Sequence, residues 1–251
     1  MSFYIFTKKQ ILSVLGVALA IIIGTVVSVS VFAKSERLLP IYSVGTEEKK
    51  IAISFDAAWG ADDTDTLIAV LAKYNVPATF FVVGEWVEKY PTEVKRLADA
   101  GHDVMNHSDT HPYMTSLSSS KMVEELKACN QKIASITGKE PTLFRCPYGD
   151  YNNNVISTVE SIGMKSIQWD VDSLDWKETA TVESIVSRVT GKAKNGSIVL
   201  FHNDAEHTPE ALPIILEKLI SEGYTFVKIA DLIYYENYEI IHDGTQVKKD
   251  G

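Results

Sequence analysis

Cysteine is nearly absent. Only Cys129 and Cys146 occur in 251 residues, with no CxxC pair and no Cys/His cluster. That excludes a zinc finger and a disulfide framework, and two free thiols are the expected state. Basic residues are also short. The 24 Lys and Arg are outnumbered by 33 Asp and Glu, and the net charge is -9. No run of Lys and Arg interrupts the body of the chain, which excludes a nucleic-acid partner, since that needs a basic face. Internal repeats and low-complexity segments are lacking too, so the chain is not a solenoid or an array.

One long apolar stretch is present. Lys8 and Lys9 precede an uncharged run from Ile11 to Ala33. Crossing a hydrocarbon core takes ~20 apolar residues, whereas a signal peptide needs only ~7–15. The expectation is a short cytoplasmic N-terminus over 1–9 and a membrane anchor over 10–33, with the body outside the cell membrane. Val31-Phe32-Ala33 offers small residues for cleavage, so a secreted form is the alternative. Residues 34–48 read as a linker, 49–237 as the folded domain and 238–251 as a polar tail.

Within the domain, apolar runs alternate with amphipathic stretches. Strands are predicted over Ile51–Phe55, Ala78–Val83, Asp103–Asn106, Thr142–Arg145, Ser166–Val171, Ser197–Phe201 and Thr225–Ile229. Helices are predicted over Thr64–Tyr74, Pro91–Ala100, Ser119–Thr137, Asn154–Ile162, Thr181–Lys192 and Pro209–Glu222, several stopped by glycine. Alternation of this kind makes a parallel sheet. The predicted fold is α/β, a barrel with one unit fewer than the usual eight.

Active sites of such folds lie at the C-terminal ends of the strands. Those positions hold Asp56, His107, His111, Arg145, Tyr148, Asp170, Asp172, Asp175, Trp176 and His202. Ionisable groups therefore collect at one end. Two histidines four apart suit a divalent cation. A carboxylate can take a proton from water, an acid can protonate a leaving nitrogen, and a guanidinium keeps a nearby carboxylate ionised. In that scheme His107 and His111 bind metal, Asp56 is the base, His202 the acid, and Arg145 holds a carboxylate ionised.

Five stretches stand in order: Ser54-Phe55-Asp56, Asn106-His107-Ser108-Asp109-Thr110-His111, Arg145-Cys146-Pro147-Tyr148-Gly149, Asp172-Ser173-Leu174-Asp175-Trp176 and Val199-Leu200-Phe201-His202. Together they resemble the motifs of the polysaccharide deacetylases, the NodB-homology domain of carbohydrate esterase family 4, over about Lys49 to Tyr235. The resemblance implies a distorted (β/α)7 barrel and metal-dependent removal of acetyl groups from N-acetylated sugars. It assigns Asp56 as base, His202 as acid, and His107 and His111 as ligands of a divalent cation (zinc, cobalt, manganese or nickel). It makes Arg145 the positioner of the base and Asp175 the carboxylate that tunes this arginine. The Tyr148 N–H would bind the oxyanion, and Trp176 with Leu200 would wall the acetyl methyl.

Two positions depart from the family pattern. Its second aspartate, a metal ligand, is here Ala57, and Cys146 stands where proline is usual. Asp62 is the preferred substitute ligand, with Asp63 placed to cap the helix at Thr64; a merely structural role for both is the alternative. The expected function is deacetylation of an N-acetylglucosamine polymer, peptidoglycan first, by a membrane-anchored monomer. The alternatives are a degenerate barrel that binds glycan without hydrolysing it, and a glycosidase using Asp170 and Asp175.

Overall fold

The computed structural model describes residues 37–249, together with 7–9, 12–13 and 15. The expected anchor over 10–33 lies almost wholly outside the described residues. Among those described, no helix is long and apolar enough to cross a membrane.

From Leu38 onward the chain forms one compact unit. Its main sheet contains β2 (Lys50–Ala57), β3 (Ala78–Val82), β4 (Asp103–Asn106), β5 (Leu143–Phe144), β6 (Lys165–Ser166), β7 (Val171–Asp172), β8 (Ile198–His202) and β9 (Thr225–Phe226). The order is β6-β5-β4-β3-β2-β8-β7, with β9 paired to the start of β2. Every pairing is parallel. The sheet is curled, and its end strands β6 and β7 are consecutive in the chain. The single strand predicted over 166–171 is interrupted there: Gln168 N–H donates to Ile41 O and Asp170 N–H to Ile198 O. Six predicted helices form within a residue or so of their expected bounds. A seventh, Gly84–Lys89, was too short for its periodicity to register.

Strand alternation sorts the residues into two faces. On β2, Ile51, Ile53, Phe55 and Ala57 face the helices and join the larger core, together with Val199 and Phe201 of β8. Ala52 and Ile198 belong to a second core with Phe81, Met105, Leu143 and Ile167. On the face they share, the residues become polar toward the C-terminal ends: Ser54 and Asp56 on β2, His202 on β8. The sheet is thus apolar where it needs packing and polar at the rim where it carries chemistry.

Two segments read as linker and tail are built into the domain. β1 (Ser43–Val44) pairs parallel with β11 (Thr245–Lys248), which pairs antiparallel with β10 (Tyr238–Ile240). Gln246 is fully buried, and its amide both accepts from Tyr234 N–H and donates to Tyr234 O. A polar side chain satisfied in this way substitutes for the apolar pattern that sequence reading looks for.

Gly196 joins the two sheets. It has φ +76, its carbonyl accepts from Val44 N–H, and a Cβ there would collide with the Val44 carbonyl oxygen. Gly196→Ala is expected to destabilise the fold by about 1–3 kcal/mol, measured as a lower urea midpoint at unchanged slope.

Candidate active site

The register of β2 on β8 places Asp56 and His202 as direct Cα partners. Each is held by a different second group. Asp56 Oδ1 accepts from Arg145 Nη1 at 2.8 Å. Arg145 is wholly buried, and its guanidinium lies over the Phe81 ring, 4.2 Å from the centroid. Its Nη2 donates to Ser54 Oγ at 2.9 Å and to Gln168 O at 3.2 Å. Burial alone would raise the Asp56 pKa; the charge and hydrogen bond of Arg145, with smaller contributions from the nearby His107 and His202, outweigh it, and the net shift is downward. Asp56 is therefore an ionised carboxylate at neutral pH.

His202 Nδ1 lies 2.8 Å from Asp175 Oδ1. The other oxygen of Asp175 accepts from His202 N–H at 2.8 Å and from Thr208 Oγ at 2.7 Å. Burial lowers the His202 pKa, but the hydrogen bond and charge of Asp175, with Asp56 and Asp172 beyond, turn the net shift upward. The expectation that Asp175 tunes Arg145 is corrected here. β7 neighbours β8, not β5, so the loop after β7 delivers Asp175 to His202. The carboxylates acting on Arg145 by charge are Asp56 first and then Asp172.

Asn106 and the helix Ser119–Thr137 shape the histidine motif. Asn106 Nδ2 donates to Leu126 O and Asn130 Oδ1, while its Oδ1 accepts from Ser108 N–H. Glu125 accepts from the N–H groups of Asp109 and Thr110. The chain turns sharply, with φ +67 at Ser108 and φ +58 at His111. Tyr148, Leu174 and Asp204 also have positive φ, so the uncommon backbone conformations gather in the loops at this end.

His107 Nδ1 lies 2.8 Å from the Arg145 carbonyl, which can only accept. Its Nε2 therefore presents a lone pair, 3.6 Å from Asp56 Oδ2. Burial lowers the His107 pKa, and burial, with His107 close by so that the two rings resist being protonated together, lowers that of His111 to about 4. Both imidazoles are neutral, and their ring centroids are 5.0 Å apart. This donor set suits a borderline divalent cation. Its third member is not where it was expected. Asp62 is exposed on its loop. Asp63 is at the N-cap position but makes no capping bond; its Oδ2 accepts from Asp204 N–H, and burial with nearby carboxylates lifts its pKa to about 6. Among the described residues, no group of three His, Cys, Asp or Glu is arranged to hold a metal. The loop from Ala58 to Asp63 is anchored at Gly60, whose carbonyl accepts from Trp86 Nε1 and Asn203 Nδ2, and it presents the Trp59 ring to His111, 5.2 Å between centroids.

The remaining candidates sort cleanly. Leu200 is buried in register with Ser54 and Asp172, and Trp176 stands exposed on the loop after β7. Tyr148 lies at the first turn after β5 with φ +59. Asp170 bonds Ser197 Oγ and Ile198 N–H at the start of β8, the end away from His202, so it cannot pair with Asp175 as a glycosidase would require. Cys129 and Cys146 are free and buried. Burial pushes the Cys129 thiol up to about 12 and the Cys146 thiol up as well, so Cys146 fills space and is inert. Sequence reading missed Ser54 and Thr208. Ser54 was recoverable, because it lies two residues before Asp56 on the same strand face.

The family model described as "Polysaccharide deacetylase" matches residues 43–167. The chain is similar to the uncharacterized protein YlxY of Bacillus subtilis, 30% identical, over 81% of this chain and 63% of that protein. It is 32% identical to the peptidoglycan-N-acetylmuramic acid deacetylase PdaA of Bacillus subtilis, over 79% of this chain and 77% of that one. Among solved structures, BA3943 of Bacillus anthracis, a CE4 family pseudoenzyme, superposes with TM-score 0.74 at 33% identity, covering 77% of this chain and 68% of that chain.

Proposed function

The chain belongs to the polysaccharide deacetylase family, and we propose that it removes N-acetyl groups from an N-acetylated aminosugar polymer of the peptidoglycan type. One observation carries this reading: two ion-paired dyads, Asp56–Arg145 and His202–Asp175, meet across paired strands with their pKa values pushed apart. A group poised to accept a proton thus faces one poised to give it, which a pure binder does not need. Asp56 takes the proton of the attacking water. The Tyr148 N–H steadies the oxyanion. His202 delivers its proton to the departing nitrogen, and Leu200 with Trp176 shelters the methyl. His107 and His111 would hold a divalent cation, which when bound acidifies water and polarises the carbonyl. The apolar run over 11–33 supports an anchored enzyme acting outside the membrane, within reach of a wall glycan. Mass spectrometry of peptidoglycan after incubation with the protein tests the substrate: sugars lacking acetyl are expected, and unchanged glycan overturns the reading.

A second reading is favoured by Ala57, which gives the histidine pair no carboxylate, and by the likeness to a pseudoenzyme. In that reading the barrel binds glycan without cleaving its amide. It predicts glycan binding with no acetate released.

The His202–Asp175 pair has a pH signature. His202 acts protonated, so activity is present below its raised pKa and lost as pH rises through it. Asp175→Asn removes the charge that raises it. The alkaline limb of the kcat/KM profile is expected to move to lower pH, while the acid limb, set by Asp56, stays in place.

A further inference from the structure

The Asp175 carboxylate is 4% exposed, so its oxygens depend on protein donors. Three reach it. His202 supplies two, Nδ1–H to Oδ1 and the backbone N–H to Oδ2, both at 2.8 Å. The third is the Thr208 hydroxyl, 2.7 Å from Oδ2. Among the described residues, Thr208 is the one donor to this carboxylate that does not belong to His202 itself. It is the first residue of the helix Thr208–Ser221, and its N–H donates to Ala205 O. The turn at Asp204, φ +57, brings the start of that helix back to the loop after β7. Thr208 is wholly buried, and its hydroxyl proton has one acceptor. A valine of the same shape would leave no room for a water in its place.

The consequence for His202 follows from charge. Its Nδ1–H stays on Asp175 in both protonation states, so Nε2 is the atom that gains and loses the proton. Asp175 and Asp172 face His202 from the β7 side and Asp56 from β2, with Asp63 beyond Asp175; His107 and His111 lie on the β4 side. Three carboxylates around one imidazolium hold its proton tightly. A hydroxyl donating to Oδ2 draws charge from the nearest of them and turns the positive end of its dipole toward the pair, and both effects loosen that hold.

We propose that Thr208 is a positioning residue of the reaction: its hydroxyl fixes the Asp175 carboxylate and moderates its charge, so that His202 both presents Nε2–H to the departing nitrogen and surrenders it. As the carbon–nitrogen bond breaks, the nitrogen keeps the bonding electron pair and takes that proton. An amine leaves, and a neutral imidazole remains bonded to Asp175. The assignment rests on the deacetylase reading for the acceptor of the proton; the link from Thr208 to His202 does not.

The test is an NMR titration of the full chain with isotope-labelled histidine, the His202 signal being identified by its absence in His202→Gln. Wild type, Thr208→Val, Thr208→Ser and Asp175→Asn are compared, and kcat and KM are measured alongside on the linear N-acetylglucosamine tetramer. In Thr208→Val, His202 is expected to titrate at higher pH than in wild type, opposite to its downward move in Asp175→Asn. In the same variant kcat is expected to fall about tenfold with little change in KM. Thr208→Ser keeps the hydroxyl and is expected to titrate as wild type. An unmoved His202 in Thr208→Val, a downward move, or an equal displacement in Thr208→Ser overturns the assignment. Wild type alone decides the matter if Thr208→Val does not fold: the Thr208 hydroxyl proton is expected to exchange slowly enough to give its own signal, and fast exchange overturns the assignment. An upward move of His202 in Thr208→Val, without acetate release by wild type, supports the link while overturning the deacetylase reading.

Discussion

Asp56→Asn is expected to slow acetate release by about 10²- to 10⁴-fold, the range for loss of a positioned general base. The substitution keeps the shape of the side chain. Its carbonyl oxygen can still accept from Arg145, as Asp56 Oδ1 does at 2.8 Å. What disappears is the proton acceptor on the side facing His107. The loss therefore falls on kcat with little change in KM, and glycan binding by calorimetry stays near the wild-type value. Turnover within tenfold of wild type would remove Asp56 from the role of base.

The second large effect is on stability. Arg145→Met leaves Asp56 buried and ionised with no counter-charge, and the expected cost is about 3–5 kcal/mol, since removing one partner of a buried pair strands the other. For a domain of this size each kcal/mol corresponds to roughly 2–4 °C in Tm, so the drop is on the order of 10 °C. The pH dependence has a definite sign. In the wild type the folded-state pKa of Asp56 is lowered, so its stabilisation is present above the unfolded value of 3.8 and is lost as pH falls through the folded value. Without Arg145, burial raises that pKa instead, and the penalty is largest at neutral pH. Melting curves of wild type and variant are expected to converge as the pH falls toward about 4. The double variant Asp56→Asn with Arg145→Met removes both charges and is expected to be more stable than Arg145→Met alone. A single variant whose deficit is the same at every pH would show that the pair is not what stabilises this rim.

Much of this was legible in the sequence because the fold repeats one physical unit. Strands buried on both faces are continuous apolar runs, and helices between them start and stop with ordinary caps, such as Ser118 accepting from Lys121 N–H and Gly138 at φ +71. Once strand ends were placed, the site residues followed, since Asp56, His107, Arg145 and His202 all sit at the same end of one parallel sheet. What escaped depends on contacts between distant segments. Gln246 is ordered by Tyr234 and β1 by β11, and no local pattern announces either. The partner of Asp175 followed from strand order, which spacing does not encode. The path of the Ala58–Asp63 loop depends on hydrogen bonds to Gly60 from Trp86 and Asn203, and it brings Trp59 to His111 while Asp62 is exposed, which proximity in sequence does not encode. Ala57 was visible from the outset. The loop after it brings the Trp59 ring to His111, while Asp62 is exposed.

The central claim, that the paired dyads perform an amide hydrolysis, meets its most direct test in acetate release. The full chain is incubated with the linear N-acetylglucosamine tetramer and with peptidoglycan, in the presence of zinc, cobalt or manganese, and free acetate, new amines and reducing ends are measured together. The expected result is acetate and amine in equal amounts, no new reducing ends, and a signal that Asp56→Asn nearly abolishes. Glycan bound by the chain, with wild type and Asp56→Asn equally silent for acetate under every metal, would contradict it.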